Sequence, residues 1–537
     1  MPYHGAVYGW RQVTIIIAQL IGLLFSALDA SIISTSLITI SIDLQNFLDV
    51  PWVVLSYLLA YLGCAIGFAK LSDIFGRLAM LCCSWILFIG FSIGCARSAT
   101  MTQLIACRAF QGTGAAGLYS LSQTVLFEVG PSDKPGLMGG LIGVTLAMSY
   151  VLGPILGAVI SSISQWTIIF WINVPAGVAV LIALYVASPS EIIPRQGGWG
   201  SIRRIDFIGN ITVISACTLL VYSLQEAGSY TYRWDSTAIV VALSIASLSW
   251  VTFFAWEIFI GLKGCTYVEP IFPLRLFFRR VYAGCVICTF CTGYIYLSFL
   301  IILPERFQIV TGESPLYSGI HLLPMLGSTS FGAFVGGTIS RNNNNTSWTL
   351  MLAHVLQLIG IGLMSTLKEA TTETKAQYGF QVILGLGFGL ALSSGTIMAS
   401  VQSMSQDLAV AQGAIAQARV FGGAIGIAIC SVIFNRKVAI ELDDKMDIDD
   451  LAALHHSPTI APWLPDGLKL VVRSVYASAF ASDTKVMIGV ATFGVIASTL
   501  TYESRPPVIP STSKAKRVQG ILGIEGQSDT ELILMNA

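Results

Sequence analysis

Fourteen stretches of about 20 mostly apolar residues follow one another along the 537-residue chain. Lipid offers no hydrogen-bond partner to the backbone, so only helices and closed barrels cross a membrane, and stretches of this length predict helices. Charged residues make up 11% of the chain, against about 25% in ordinary soluble domains. The predicted fold class is therefore an all-α integral membrane protein with fourteen transmembrane helices.

The predicted helices fall into groups of six, two and six, because segments 189–204 and 268–280 interrupt the pattern. Transporters are often built from repeats with the substrate site at their interface, so we expect two six-helix bundles with two inserted central helices. The predicted parts are an N-terminus at 1–11, an N-terminal bundle at 12–188, linkers and the inserted pair at 189–280, a C-terminal bundle at 281–501 with an outer loop at 435–481, and a disordered tail at 502–537.

The distribution of positive charge predicts the orientation. If the N-terminus is cytoplasmic, the inner segments hold most of the 29 Lys and Arg residues and the short outer loops hold few. Cytoplasmic segments carry such an excess, so the rule places the N-terminus inside. An even number of spans then places the C-terminus there too.

Composition argues against several other classes of protein. The formal net charge of zero gives no sign of a nucleic-acid surface. The eleven cysteines lie in apolar stretches, without the clustered His or acidic residues of a metal site. His455 and His456 lack the paired acid that an enzyme would need. We expect no cofactor, no metal, no nucleic-acid partner and a monomer in a lipid bilayer.

The stretch 104–128 places a permanent charge, Arg108, inside an apolar run. A guanidinium at membrane depth costs at least about 2.5 kcal/mol, so it usually faces the protein interior or a watery cavity and has a partner. Gln111 falls on the same side of the predicted helix, and Gly112 begins a run of small residues where another helix can approach closely. We expect a packed helix that carries a functional polar group.

A short charged loop joins the second and third predicted helices at residues 69–77, AKLSDIFGR. Gly76 permits a tight turn, while Asp73 and Arg77 can pair with the other bundle in one conformation and release it in another. The alternative is a turn whose charges only set the topology.

The fifth predicted helix contains Gly153, Pro154 and Gly157 in YVLGPILGA. Proline removes one backbone hydrogen bond and bends a helix, and glycines permit close packing against a partner. This pattern indicates a bent helix with a functional role or, alternatively, a merely kinked span.

Together these stretches resemble the major facilitator superfamily. The loop resembles its G-x-L-a-D-r-x-G-r signature, the Arg108 helix its R-x-x-q-G-x-g-a signature, and the fifth helix the G-x-x-x-G-P-x-x-G-g signature of antiporters. Residues 28–33, 171–177 and 312–319 resemble the fourteen-span drug:proton antiporter branch, particularly its fungal members. The chain departs from the signatures at Ala69, Ile74 and Leu78 in the loop and at Ser149 and Tyr150 in the fifth helix.

The resemblance and the buried charges together suggest proton coupling. Removal from water favours the neutral form of a carboxylic acid, so Asp29 can take up and release a proton. The alternatives are a fixed ion pair with Arg108 and a hydrogen-bonded acid near the outer end of its span. Arg419 is the intramembrane cation of the second half and is expected to line the cavity or close a gate. Tyr294 and Tyr296 can stack on a flat hydrophobic substrate, although aromatic residues also anchor spans at interfaces.

The expected function is proton-coupled efflux of small hydrophobic organic compounds, either drugs, toxins or the cell's own secondary metabolites, by alternating access. The alternatives are a siderophore or other metabolite carrier of the same fold and a non-transporting membrane sensor. We expect the cell membrane as its location, with a vacuolar or vesicular membrane as the alternative.

Overall fold

The computed structural model describes most of the chain as long α-helices. The residues that it describes are 9–46, 49–131, 135–187, 206–228, 232–263, 274–340, 344–367, 375–403, 408–442 and 466–507.

The described residues up to 187 form eight helices. They are α1 (Trp10–Ile32, continued by a 3-10 turn at Ile33–Thr35), α2 (Leu37–Asp43), α3 (Val50–Phe75), α4 (Arg77–Ala96), α5 (Met101–Val129), α6 (Pro135–Ile163), α7 (Ile168–Trp171) and α8 (Asn173–Ala187).

The second half forms the inserted pair and the second bundle. Its helices are α9 (Phe207–Gly228), α10 (Thr237–Lys263), α11 (Leu274–Phe277), α12 (Arg280–Arg306, with a π turn at Phe307–Thr311), α13 (Pro315–Ile320), α14 (Leu323–Ile339), α15 (Thr346–Met364), α16 (Ala376–Gln402), α17 (Leu408–Leu442) and α18 (Asp466–Thr499).

The predicted all-α membrane fold is confirmed, and each of the fourteen predicted spans corresponds to a helical segment. Twelve segments of the described residues are long and apolar enough to cross a bilayer. The other two predicted spans are α3, whose apolar part is Val50–Ala65, and α5, which carries Arg108. These two helices hold polar groups, so neighbouring helices must cover them.

The predicted outer loop at 435–481 is too long. Helix α17 continues to Leu442 and α18 begins at Asp466, so the two helices extend into both ends of that range. The polar residues that follow the apolar run can continue the helix, because those four positions apart lie on the same face. Lys437 Nζ and Glu441 Oε1 form such an ion pair, 2.7 Å apart. Val438 and Tyr476 pack in one buried cluster between the two extensions. Residues 443–465, which include the acidic sequence DDKMDIDD at 443–450, lie outside the described residues.

Small residues let helices approach within each bundle. A Cβ on Gly112 of α5 would collide with the backbone of Tyr57 on α3. A Cβ on Gly422 of α17 would likewise collide with the backbone of Phe290 on α12. Close backbone approach is how helices pack where lipid supplies no hydrophobic driving force between them.

The two bundles meet along α6 and the α13–α14 segment. A Cβ on Gly319 of α13 would come within 3.2 Å of the Pro154 carbonyl oxygen, and a Cβ on Gly337 of α14 would lie 3.3 Å from the Gly140 Cα. The bundles therefore contact each other along α6, which runs antiparallel to the α13–α14 segment.

The inserted pair contacts both bundles through α9. Trp52 Nε1 on α3 donates a hydrogen bond to Glu226 Oε1 at 2.7 Å, and Asn435 Nδ2 on α17 donates to the Gly228 carbonyl at 3.0 Å. The inserted helix α9 thus lies beside the place where α3 and α17 meet.

Candidate functional site

Arg108 and Asp29 form a buried ion pair inside the first bundle. Both side chains are inaccessible to solvent, and Arg108 Nη1 donates to Asp29 Oδ2. The guanidinium also donates from Nη1 to Gln111 Oε1 at 2.8 Å and from Nε to the Val53 carbonyl at 3.2 Å. Its carbon lies 4.1 Å from the ring centroid of Tyr57, a cation–π contact. The partner that the sequence required for Arg108 is therefore Asp29.

Asp29 is held by further donors from two other helices. Its Oδ1 accepts hydrogen bonds from Gln111 Nε2 at 3.0 Å and from Asn173 Nδ2 at 2.7 Å. Both amide nitrogens also donate to Ser92 Oγ, at 2.8 and 3.2 Å. Helices α1, α4, α5 and α8 thus share one polar network, which compensates both charges.

Sequence reasoning identified Asp29, Arg108 and Gln111 but did not select Asn173 or Ser92. Asn173 lies in the WINVPAG stretch, where an amide inside an apolar run was the available signal. A single serine such as Ser92 in an apolar helix gives no comparable signal, because its hydroxyl can bond to its own helix, as Ser92 Oγ does to the Phe88 carbonyl.

Arg419 lies at the junction of the two bundles. Its Nη1 donates to the Tyr119 hydroxyl of α5 at 2.8 Å, which joins α17 to the first bundle. Two residues earlier in the chain, Gln417 Nε2 donates to the Leu62 carbonyl of α3. Arg419 is 5% exposed, its buried Nε has no hydrogen-bond partner, and it forms no ion pair with any residue that the structure describes. The two buried arginines therefore differ, since only Arg108 has a carboxylate partner.

Tyrosine rings surround this junction. Tyr61 and Tyr119 meet edge to face with centroids 5.5 Å apart, and Tyr150 of α6 meets Tyr296 of α12 at 5.1 Å. Tyr296 also meets Phe388 of α16 at 4.6 Å. Tyr150 is one of the positions where the chain departs from the antiporter signature, and it contributes an aromatic ring to the contact between bundles.

The two tyrosines predicted to stack on a substrate lie in different places. Tyr296 is at the junction, whereas Tyr294 lies within the second bundle, close enough to interact electrostatically with Cys430 and Asp483. Two positions along a helix correspond to a rotation of about 200°, so α12 directs the two rings to different sides.

The charged loop turns at Gly76, whose φ of 97° favours glycine. Arg77 forms a salt bridge with Glu128 of α5, with Nη2 and Oε1 2.9 Å apart. This ion pair lies within the first bundle. The side chain of Asp73 lies outside the described residues, and a latch between the bundles stays a prediction.

Gly153, Pro154 and Gly157 pack against the end of the first helix. A Cβ on Gly153 would collide with Ser31, and one on Gly157 would collide with the Ile32 carbonyl. Thr35 Oγ1 donates to the Pro154 carbonyl at 3.0 Å. The motif therefore joins α6 to the segment that carries Asp29.

Asp483 of α18 is a buried acid that the sequence analysis missed. It is 1% exposed, and neither carboxylate oxygen has a hydrogen-bond partner. Glu305 of α12 is close enough for its charge to act on Asp483. The available signal was an aspartate beside an apolar run, but the last span was predicted to begin at residue 482, which left Asp483 at its edge.

Comparison with known proteins gives matches along nearly the whole chain. The family model described as Major Facilitator Superfamily matches residues 19–427. The chain is 33% identical to the MFS-type transporter FPY5 of Fusarium mangiferae, over 94% of this chain and 85% of that protein. It is 27% identical to the MFS-type efflux pump MMF1 of Pseudozyma antarctica, over 97% of this chain and 95% of that protein. It is 31% identical to the efflux pump FUS6 of Gibberella fujikuroi, over 80% of this chain and 76% of that protein.

Solved structures show the same fold. A bacterial homolog of the human lysosomal transporter Spinster, in an inward-facing and occupied conformation, superimposes with a TM-score of 0.62 at 13% identity, over 92% of this chain and 97% of that one. The human organic anion transporter MFSD10 (TETRAN) gives a TM-score of 0.55 at 13% identity, over 91% of this chain and 99% of that one.

Proposed function

Because this chain belongs to the Major Facilitator Superfamily and is a membrane transporter, we propose that it exports small hydrophobic organic compounds in exchange for protons. The observation that carries this proposal is the junction of the two bundles, where Arg419 of α17 donates to Tyr119 of α5 and Tyr150 of α6 meets Tyr296 of α12. Aromatic rings offer flat apolar surfaces to a hydrophobic compound, and a few polar groups fix its orientation. The relatives named as efflux pumps support the outward direction.

Proton coupling is supported by the way Arg108 is held. A proton on Asp29 Oδ2 would remove the negative charge that compensates the guanidinium, and breaking a buried pair in this way is costly. The network would then favour a different arrangement of α1 and α5. Since Gly153 and Gly157 press α6 against the end of α1, such a change would reach the helix that contacts the second bundle.

Asp483 is a second candidate proton carrier. The groups that act on it electrostatically or lie beside it are Glu305 and Tyr294 on α12 and Cys430 on α17, and none of these is a cation. A carboxylate without hydrogen bonds or a counterion, next to another carboxylate, is most stable when it holds a proton. Asp483 therefore differs from Asp29, whose carboxylate oxygens accept hydrogen bonds from Arg108, Gln111 and Asn173.

In this proposal, rocking of the two bundles exposes the junction alternately to the two sides of the membrane. Proton entry supplies about 2.3 kcal/mol per charge for each 100 mV of membrane potential, in addition to any pH gradient. The chain acts as a monomer in the cell membrane, with both termini in the cytoplasm. Three contacts put the beginnings of α12 and α15 beside the chain that follows α18, consistent with one common side: Arg280 to Tyr502, Asn344 to Pro507 and Ser347 to Thr501.

The test is efflux of a panel of hydrophobic fluorescent compounds from cells that express wild type, Asp29→Asn, Asp483→Asn or Arg108→Ala at matched surface levels. We expect wild-type efflux to stop when a protonophore is added and to be lost in Arg108→Ala. Efflux that survives both the protonophore and Arg108→Ala would show that the proposed coupling is wrong.

A further inference from the structure

Arg419 is a buried cation that has no counterion in the part of the chain that the structure describes. One neutral group, the Tyr119 hydroxyl, accepts a hydrogen bond from it, and its Nε has no partner. A guanidinium does not lose its proton in proteins, so the charge cannot be removed by titration. Burying an uncompensated charge is expensive, and proteins pair such groups or let a ligand neutralise them. Arg419 therefore requires an anion in at least part of the transport cycle.

The two buried acids inside the bundles, Asp29 and Asp483, form no ion pair with Arg419. Asp29 is occupied by Arg108, Gln111 and Asn173 inside the first bundle. Asp483 lies inside the second bundle, where Glu305 is the charged group that acts on it. A ligand that enters the junction is thus the available source of negative charge for Arg419.

From this arrangement we infer that the transported compounds carry an acidic group, and that Arg419 binds it. The substrate class is then hydrophobic organic acids, with a carboxylate or an ionised enol at one end and a conjugated or aromatic body at the other. This inference rests on the proposed function in taking the junction as the substrate path. It adds the chemical group by which a substrate is recognised.

The surroundings of Arg419 suit both ends of such a molecule. A guanidinium presents several N–H donors in one plane and binds carboxylates with paired hydrogen bonds. Tyr61 and Tyr150 lie close enough to interact electrostatically with Arg419, so aromatic faces are adjacent to the charge. Tyr119 supplies a hydroxyl that already contacts the guanidinium and can rotate toward a ligand.

The test measures binding rather than transport. Purified full-length protein in lipid nanodiscs is titrated with pyrenebutyrate, a hydrophobic acid, and with pyrenebutanol, its neutral counterpart, using energy transfer from tryptophan to pyrene. Empty nanodiscs correct for partition into lipid. The variants are Arg419→Gln, Arg419→Lys, Tyr119→Phe and the matched control Arg233→Gln, which removes an exposed arginine whose partner is Asp235.

We expect wild type and Arg233→Gln to bind the acid about tenfold or more tightly than the alcohol, because charge-assisted hydrogen bonds are about twice as strong as neutral ones. Arg419→Gln should abolish this ratio, and Arg419→Lys should keep part of it. A ratio near one in wild type, or a ratio that persists in Arg419→Gln, overturns the inference.

The outcomes separate this inference from the proposed function. An acid preference that depends on Arg419, in a protein that moves no compound under a proton gradient, keeps the inference and rejects proton-coupled export. Proton-driven export of a neutral dye without any acid preference keeps the export function and rejects the inference.

Discussion

Asn173 at the start of α8 donates a 2.7 Å hydrogen bond from Nδ2 to Asp29 Oδ1, although 144 residues separate the two positions. The contact brings an amide of α8 to the carboxylate on α1. Gln111 donates to the same oxygen from α5, so donors from two helices meet at one carboxylate atom of a third helix.

Replacing Asn173 by leucine should therefore impair the network without removing either charge. We expect a loss of about 1–3 kcal/mol of stability, since Asp29 loses one charge-assisted hydrogen bond, and slower efflux. Thermal unfolding of purified protein and efflux at matched expression measure the two effects. Ser162→Ala, which changes an exposed hydroxyl, is the control, and equal behaviour of the two variants would contradict the prediction.

The pairing of Asp29 with Arg108 predicts strong coupling between their substitutions. Arg108→Gln leaves a buried carboxylate uncompensated and should cost about 3–5 kcal/mol, whereas the double variant Asp29→Asn with Arg108→Gln should be more stable than Arg108→Gln alone. Thermal unfolding of the four proteins completes the cycle. Additive losses would mean that the pair is not formed.

Gly112 and Gly90 make a matched pair of helical glycines. Alanine at 112 would place a Cβ against the backbone of Tyr57, whereas nothing lies within 4 Å of a Cβ at 90. Gly112→Ala should destabilise by about 1–3 kcal/mol through overpacking. Gly90→Ala should be neutral or stabilising by up to about 1 kcal/mol, because alanine favours helix. The midpoint of thermal unfolding distinguishes them, and a tolerated Gly112→Ala would argue against close packing of α3 and α5.

Asp483→Asn tests whether the unpartnered acid has a function. Because neither oxygen of Asp483 accepts a hydrogen bond, we expect the amide to leave stability unchanged within about 0.5 kcal/mol. Proton-driven efflux should fall if Asp483 carries a proton. Asp235→Asn, at an exposed position, controls for loss of a charge. Normal proton-driven efflux in Asp483→Asn would exclude Asp483 as a carrier.

The sequons at Asn344 and Asn345 test the orientation. Asn344 Nδ2 donates to the Pro507 carbonyl, so this loop and the C-terminal segment lie together. With both termini in the cytoplasm, neither asparagine meets the glycosylation machinery, and we expect no change in mobility after treatment with a glycosidase. A glycan at either position would reverse the proposed orientation.

The sequence alone determined the number of spans, their grouping and the need of Arg108 for a partner. These follow from local properties, because apolar length decides which segments enter lipid and a buried guanidinium must be compensated. The glycines of α5 and α6 were also evident, since close helix packing requires small residues whichever helix is the neighbour.

The tertiary structure decided which side chains meet. It joined Asn173 and Ser92 to Asp29, paired Arg77 with Glu128 of the same bundle, and separated Tyr294 from Tyr296. It also paired Arg419 with Tyr119 across the bundles and, among the described residues, gave it no acidic partner. Such contacts depend on how each helix is rotated and placed against partners hundreds of residues away, and the sequence of one helix does not contain that information.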